Sequence, residues 1–164
     1  MNIYKIAQNI KAFAFDVDGV MTTGALLLTD EGNYLRSFHI RDGYAIRKAI
    51  DEGYKIVVIS GGISDGVEKR LRHLGIKDVY MNTNHKEPIL TQWMQLNQIT
   101  SDQLAYMGDD ILDIDSMQYA ALKACPRDAS NEVKKISNYF SSKNGGDTCV
   151  RELIELVMKV QSRW

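Results

Sequence analysis

Acidic residues follow two short apolar runs of the chain. Asp16 and Asp18 come after the run IKAFAF, and Asp109, Asp110 and Asp113 come after LAYMG. Carboxylates that lie close together repel one another unless a cation lies between them, and a carboxylate can also act as a nucleophile or as a general acid and base. Because this group offers hard oxygen donors without histidine or cysteine, it favours Mg²⁺ over zinc.

Two other apolar runs are followed by groups that can bind an anion. Ser60 and Gly61 come after KIVVI, and Lys86 lies in the segment after DVYMN. A hydroxyl, backbone N–H groups beside a glycine and an ammonium group together form a cradle for phosphate. If these groups meet the carboxylates, one site combines a nucleophile, a metal and an anion clamp. That combination predicts phosphoryl transfer.

The elements that must position these groups alternate between strand and helix. The strand candidates are apolar throughout, which is typical of a parallel sheet covered by helices on both faces. In such a sheet the loops at the carboxyl ends of the strands gather at one edge and bind ligands there. We therefore predict a three-layer, Rossmann-like α/β fold that forms a single domain over residues 1–164.

The pattern also predicts where the elements lie. A β-hairpin with strands 25–29 and 35–40 interrupts the alternation and is its one elaboration. The other predicted strands are 10–15, 54–60, 78–82, 104–110 and 121–125, and the predicted helices are 42–52, 64–74, 87–97, 111–121, 131–137 and 150–160.

Charge and hydropathy exclude several classes of partner. The chain has 164 residues and a formal net charge of -1, so it has no electrostatic footprint for nucleic acid or an anionic membrane. No apolar run approaches the roughly 20 residues of a membrane helix, and no signal peptide is apparent. We expect a cytoplasmic protein that acts on a small molecule.

The motifs resemble those of the haloacid dehalogenase superfamily. DVDGVMT (16–22) resembles its DxDGxxT motif, in which the first aspartate attacks phosphorus and the second is the general acid and base. Ser60 resembles the serine of the second motif, and Lys86 the lysine of the third. GDD (108–110) resembles the acidic fourth motif, with Asp113 following it. The resemblance implies a phosphoaspartate on Asp16.

It also implies roles for the acidic residues. By the resemblance Asp16, Asp18 and Asp109 bind Mg²⁺, and Asp16, Asp18 and Lys86 are catalytic. Asp110 and Asp113 either orient the metal ligands from behind or, in one case, merely cap the helix that starts there. Superfamily members often carry a cap domain between the first and second motifs, but the hairpin and one helix fill that segment here. We therefore predict no cap.

Among capless members, the chain resembles phosphatases of 3-deoxy-octulosonate 8-phosphate and of related nine-carbon keto-sugar acids. The resemblance rests on DVDGVMTTG (16–24), SFHIRDG (37–43), GDD (108–110) and NGGDTCVRE (144–152). It implies a homotetramer in which the hairpin lies at a subunit interface and a neighbour helps to close each site. It also implies that Gly145 and Gly146 belong to a lid. Alternatively, the apolar residues of the hairpin simply pack on their own sheet.

One position departs from that family. Gly62 stands where the octulosonate enzymes commonly have arginine, which leaves Arg70 or Arg41 to bind the substrate carboxylate. This departure leaves a nine-carbon substrate open, without affecting the predicted chemistry. A separate alternative, not based on Gly62, is a non-catalytic domain associated with sugar-nucleotide synthesis. The intact set of Asp16, Asp18, Lys86 and Asp109 argues against this alternative.

Overall fold

The computed structural model describes residues 2–164, which form a six-stranded parallel sheet between two layers of helices. The strands are β1 Ala12–Phe15, β2 Leu27–Leu28, β3 Tyr34–Leu35, β4 Lys55–Ile59, β5 Asp78–Tyr80, β6 Leu104–Met107, β7 Leu122–Cys125 and β8 Tyr139–Phe140. The helices are α1 Ile3–Asn9, α2 Ile40–Asp51, α3 Asp65–His73, α4 Lys86–Asn97, α5 Ile114–Met117, α6 Asn131–Ile136 and α7 Cys149–Val160.

The order of the main sheet is β5-β4-β1-β6-β7-β8, with β1 at its centre. Phe15, the last residue of β1, lies opposite Val58 in β4 and Met107 in β6. The three strands therefore end together at one edge of the sheet. The strand order reverses between β1 and β6, which is the place where sheets of this kind bind ligands.

Alternate residues of β1 face the two helical layers. Phe13 and Phe15 belong to one buried cluster, which α1, α2, α3 and α7 cover. Ala12 and Ala14 belong to the other, which includes Trp93 of α4 and residues of α5 and α6. The predicted three-layer fold is thus confirmed, with no cap domain in the described chain.

Several predicted bounds were wrong. The segment 35–40 is not one strand, because His39 caps α2 and accepts a hydrogen bond from the backbone N–H of Arg41 at 3.1 Å. Helix 111–121 is instead a 3-10 turn at Ile111–Asp113 followed by α5. The sequence reasoning missed α1 and β8, whose residues show no uninterrupted apolar run.

The hairpin forms a separate antiparallel pair of β2 and β3. Leu28 is 63% exposed and Leu35 is 48% exposed, whereas Phe38 packs against the main core. The alternative, in which the apolar residues of the hairpin pack on the sheet of their own chain, is therefore confirmed for Phe38 and wrong for the leucines.

Among residues 2–164, none of the helices combines the length and the apolar character needed to cross a membrane.

Candidate active site

Asp16 and Lys86 form a buried ion pair at the carboxyl edge of the sheet. Asp16 directly follows β1, and its backbone N–H donates to the Met107 carbonyl at 3.2 Å. Lys86 is the first residue of α4, and its Nζ lies 2.8 Å from Asp16 Oδ1 and 2.8 Å from Asp113 Oδ1. Burial alone would lower the pKa of Lys86, but the charges of Asp113 and Asp16 outweigh it and raise that pKa. Lys86 is therefore a fixed positive charge beside Asp16.

Asp113 lies behind the site and holds its parts together. It is 1% exposed. Its Oδ1 accepts hydrogen bonds from Lys86 Nζ at 2.8 Å and from the Tyr106 hydroxyl at 2.9 Å. Its Oδ2 accepts from the backbone N–H of Asp109 at 3.1 Å. These contacts place Asp113 where it orients both the lysine and the acidic loop. Asp110, by contrast, is exposed and caps the 3-10 turn that follows.

Three carboxylates could share a cation. Asp16, Asp109 and Asp113 each offer an oxygen atom, and these atoms all lie within 4.8 Å of one another. Burial and the charge of Asp113 raise the pKa of Asp16 to about 7, despite the opposing effect of Lys86. Burial and the charges of Asp16, Asp113 and Asp110 raise the pKa of Asp109 to about 8. The site thus holds more negative charge than one lysine balances, and its oxygen donors fit Mg²⁺.

Gly19 explains how the acidic loops approach so closely. Its φ is +85°, and a Cβ at this position would lie 2.0 Å from Asp109 Oδ2. A side chain would therefore push Asp109 away from the site, and the left-handed backbone itself favours glycine. The glycine of the DVDG motif is thus a packing requirement of the metal site.

The predicted anion cradle faces the same cavity. A cavity of about 420 Å³ is lined by the predicted residues Asp16, Asp18, Ser60, Gly61, Lys86, Asp109, Asp110 and Asp113, and also by Gly62. Ser60 is 1% exposed, and its Oγ accepts a hydrogen bond from the Gly62 N–H at 3.2 Å. All the predicted catalytic, metal and phosphate residues therefore come together at one sheet edge.

Asp18 has a partner that the sequence reasoning missed. Arg36, directly after β3, donates from Nε to Asp18 Oδ1 at 2.6 Å and from Nη2 to Asp18 Oδ2 at 3.0 Å. The Asp18 carboxylate is thus held by Arg36, and it is not part of the acidic group of Asp16, Asp109 and Asp113. A single arginine in the polar segment 36–37 carries no pattern that would have indicated this contact.

The predicted substrate and lid residues lie elsewhere. Arg70 lines a neighbouring cavity of about 350 Å³ together with Arg36, and Arg41 is exposed. A Cβ on Gly145 would lie 2.0 Å from the Gly19 carbonyl oxygen, and the Gly146 N–H donates to the Val20 carbonyl at 2.9 Å. Both glycines therefore support the catalytic loop of their own chain. Their role in a lid stays a prediction.

In the SFHIRDG segment, Asp42 rather than Arg41 connects this part of the chain to helix α7. Asp42 is 4% exposed, and its Oδ1 accepts a hydrogen bond from the backbone N–H of Arg151 at 2.8 Å. Burial raises its pKa to about 6. Asp42 thereby holds the first turn of α7 and the glycine segment that precedes it.

Similar proteins of known class share this architecture. A 3-deoxy-D-manno-octulosonate 8-phosphate phosphatase of Haemophilus influenzae is 32% identical over 156 residues, which cover 95% of this chain and 87% of that protein. The crystal structure of such a phosphatase from Yersinia pestis matches with a TM-score of 0.95 at 30% identity, covering 98% of this chain and 87% of that chain.

A third match carries ligands. The phosphatase of Moraxella catarrhalis, crystallised with magnesium ion, phosphate ion and KDO, matches with a TM-score of 0.94 at 30% identity. The match covers 98% of this chain and 92% of that one. No family model matches the chain.

The parallel sheet whose strand order reverses beside β1, with Asp16 directly after that strand, matches a hydrolase fold of the haloacid dehalogenase type. Within that superfamily, the chain belongs to the 3-deoxy-D-manno-octulosonate 8-phosphate phosphatase family.

Proposed function

We propose that this chain is a magnesium-dependent phosphatase that hydrolyses 3-deoxy-D-manno-octulosonate 8-phosphate to KDO and phosphate. The observation that carries the proposal is the buried Asp16–Lys86 pair, which opens into a cavity with Ser60 and Asp109. We infer the identity of the substrate from the matched relatives, which are named as phosphatases of 3-deoxy-D-manno-octulosonate 8-phosphate. We further propose that residues 1–164 act as one catalytic domain.

The first half-reaction follows from the site. Asp16 attacks phosphorus, its carboxylate oxygen forms a bond to phosphorus, and the bond from phosphorus to the sugar oxygen breaks. Asp18 donates its proton to that leaving oxygen. Lys86 and Ser60, with the N–H groups around Gly61, hold the phosphoryl oxygens. When bound, Mg²⁺ would neutralise negative charge on those oxygens, held by Asp16 and Asp109 with Asp113 behind them.

The second half-reaction releases phosphate. Asp18, now a carboxylate, takes a proton from water, and the water oxygen forms a bond to phosphorus. The bond between phosphorus and Asp16 then breaks, which regenerates the nucleophile. Asp18 is 33% exposed in its side chain, so water can reach it.

The proposal includes a homotetramer. Leu27 is 67% exposed and Tyr34 is 57% exposed, so the hairpin presents an apolar surface that its own chain leaves uncovered. Exposed apolar patches mark interaction surfaces, and a two-stranded hairpin is marginal in water by itself. In the tetramer a neighbouring subunit would cover this surface and help to close the site. Light scattering should give the mass of four chains, whereas a fully active monomer would contradict this part.

A cytoplasmic location and a role in lipopolysaccharide precursor synthesis complete the proposal. A sugar acid phosphate is multiply charged and does not cross a membrane unaided, so the enzyme must share the compartment of the synthase that makes it. Cell fractionation with an antibody against the chain tests the location.

The deciding experiment compares substrates. Phosphate release should be measured with Mg²⁺ on 3-deoxy-D-manno-octulosonate 8-phosphate, on nine-carbon keto-sugar acid 9-phosphates and on p-nitrophenyl phosphate. We expect the highest kcat/KM on the eight-carbon substrate. A higher value on a nine-carbon acid would reassign the substrate, and no release from any monoester would favour a non-catalytic binding domain.

A further inference from the structure

Position 62 lies against the contact between Arg36 and Asp18. A Cβ on Gly62 would lie 3.0 Å from Arg36 Nη2 and 3.0 Å from Asp18 Oδ2. A side chain at this position would therefore crowd the Arg36 guanidinium and the Asp18 carboxylate. Because Gly62 has no side chain, it leaves space that the Arg36 guanidinium fills.

Arg36 is a buried charge with a single polar partner in the described chain. Its side chain is 7% exposed, and both its hydrogen bonds go to the Asp18 carboxylate. Its Nη1 is buried and makes no hydrogen bond within residues 2–164. A buried guanidinium is unfavourable unless it is paired, so this arrangement holds only while Asp18 keeps its orientation.

The contact also constrains Asp18. A bidentate arginine fixes a carboxylate in both position and plane, which a lysine or a water molecule does not. The hydrogen bond to Asp18 raises the pKa of Arg36 further, so the guanidinium stays charged throughout. Asp18 is otherwise contacted by the Thr22 hydroxyl at the long distance of 3.4 Å.

We propose that Arg36 is the positioning residue of the acid–base carboxylate Asp18, and that Gly62 is the residue that admits it. This inference rests on the proposed phosphatase activity. When Asp18 gives its proton to the leaving sugar oxygen, the carboxylate that forms accepts both charge-assisted hydrogen bonds from Arg36, which hold it in position for the second half-reaction. Arg36 itself transfers no proton, and it acts only through Asp18.

The placement of Arg36 directly after β3 has a further consequence. The hairpin that presents the apolar surface also carries the group that orients Asp18. The proposed subunit contact and the proton transfer are thereby linked through one side chain.

The test compares leaving groups in the full-length protein with Mg²⁺. The variants are Arg36→Met, Arg36→Lys and, as a matched control, Arg47→Met, whose arginine is exposed on α2. The substrates are 3-deoxy-D-manno-octulosonate 8-phosphate, ribose 5-phosphate and p-nitrophenyl phosphate. The quantity compared is kcat/KM, which reports formation of the phosphoaspartate, the step in which Asp18 acts as an acid.

For Arg36→Met we expect kcat/KM to fall about 10- to 100-fold on both sugar phosphates, whose alkoxide leaving groups need a proton. On p-nitrophenyl phosphate we expect a loss below about 3-fold, because nitrophenolate leaves without protonation. Arg36→Lys should fall between Arg36→Met and the parent, because lysine keeps the charge without the bidentate geometry. Arg47→Met should match the parent on all three substrates.

Two results would overturn the proposal. An equal loss on all three substrates would show a merely structural role, and a loss confined to the keto acid would show that Arg36 binds the substrate carboxylate instead.

The double variant Arg36→Met/Gly62→Arg should recover at least about 5-fold of the loss on the sugar phosphates, since it restores a guanidinium beside Asp18. If the double variant folds as a tetramer but recovers no activity, the inference that the side chains at positions 36 and 62 share one volume would be wrong. If the parent prefers another sugar acid, the proposed substrate fails, while the comparison of leaving groups still tests Arg36.

Discussion

The catalytic edge and the hairpin break the usual rules of burial in opposite ways. At the catalytic edge, Asp16 and Asp113 are 8% and 1% exposed although both are acidic. On the hairpin, Leu27 and Leu28 are 67% and 63% exposed although both are apolar. Soluble domains normally bury the second kind of residue and expose the first.

The difference indicates what each region can bind. One lysine balances only part of the charge of the carboxylates, so they can bind a cation. Within residues 2–164 no element covers the leucines, so they can contact an apolar surface of another chain. The first region should therefore respond to metal and pH, and the second to protein concentration and surface charge.

The largest effect should come from the nucleophile. Asp16→Asn should lower kcat by at least about 1,000-fold, because no other group is placed to form the phosphoaspartate. The fold and the oligomeric state should not change. Steady-state phosphate release and light scattering check both points, with Asp51→Asn on the exposed end of α2 as the control. Residual turnover near the parent rate would remove Asp16 from its role.

The next effect should come from Asp113. Its carboxylate orients Lys86 and the backbone of Asp109, so Asp113→Asn should lower Mg²⁺ affinity and kcat/KM by about 10- to 100-fold. Asp110→Asn should have a clearly smaller effect, because Asp110 is exposed and its side chain caps the following turn instead of holding Lys86. Titration of activity with Mg²⁺ measures both variants. Equal losses would mean that Asp110 is also a ligand.

A smaller effect concerns stability. The pKa values of Asp16 and Asp109 rise from 3.8 to about 7 and about 8 on folding, so the folded chain binds protons more tightly than the unfolded chain. Without metal, the free energy of unfolding should therefore fall by several kcal/mol as pH rises from about 4 to about 8.

Magnesium should reverse that loss. At pH 8 the ion replaces the missing protons and should raise the melting temperature, whereas at pH 5 protons compete with it and the rise should be small. Thermal unfolding with EDTA and with Mg²⁺ at both pH values measures the difference. A magnesium effect that is equal at the two pH values would contradict the carboxylate site.

The smallest effect on the chain itself should come from the hairpin. Leu27→Glu should dissociate the proposed tetramer while changing the unfolding free energy of the monomer by less than about 0.5 kcal/mol. Activity should fall less than in the catalytic variants, by under about 10-fold, because every residue that reacts stays in its own chain. Leu96→Glu is the matched control, since Leu96 is 74% exposed on α4. A variant that stays tetrameric would move the interface elsewhere.

The predictable parts of the molecule are those set by local pattern. The apolar runs identified five of the six strands of the main sheet, and the rule that ligands gather at carboxyl ends located Asp16, Ser60, Lys86 and Asp109 together. Lys86 proved to be the first residue of α4 rather than part of the loop, because the loop that follows β5 ends at the helix N-cap His85.

What the sequence could not supply are contacts between distant segments. The pairing of Arg36 with Asp18 depends on how the hairpin folds back over the sheet edge, and no local pattern specifies that path. Arg70 on α3 lines a neighbouring cavity together with Arg36, so its predicted contact with the substrate carboxylate stays a prediction. The strand β8 was missed because only two of its residues pair, at the edge of the sheet.

The close packing of Gly145 and Gly146 against residues 19–23 also affects how the protein folds during its synthesis. The ribosome makes the catalytic loop long before it makes the segment at Gly145 and Gly146 that backs it. Since a chain is made from its amino-terminal end, Asp16 should emerge long before its loop is held in place. A message truncated before codon 145 should therefore yield a chain with every catalytic side chain and no working site.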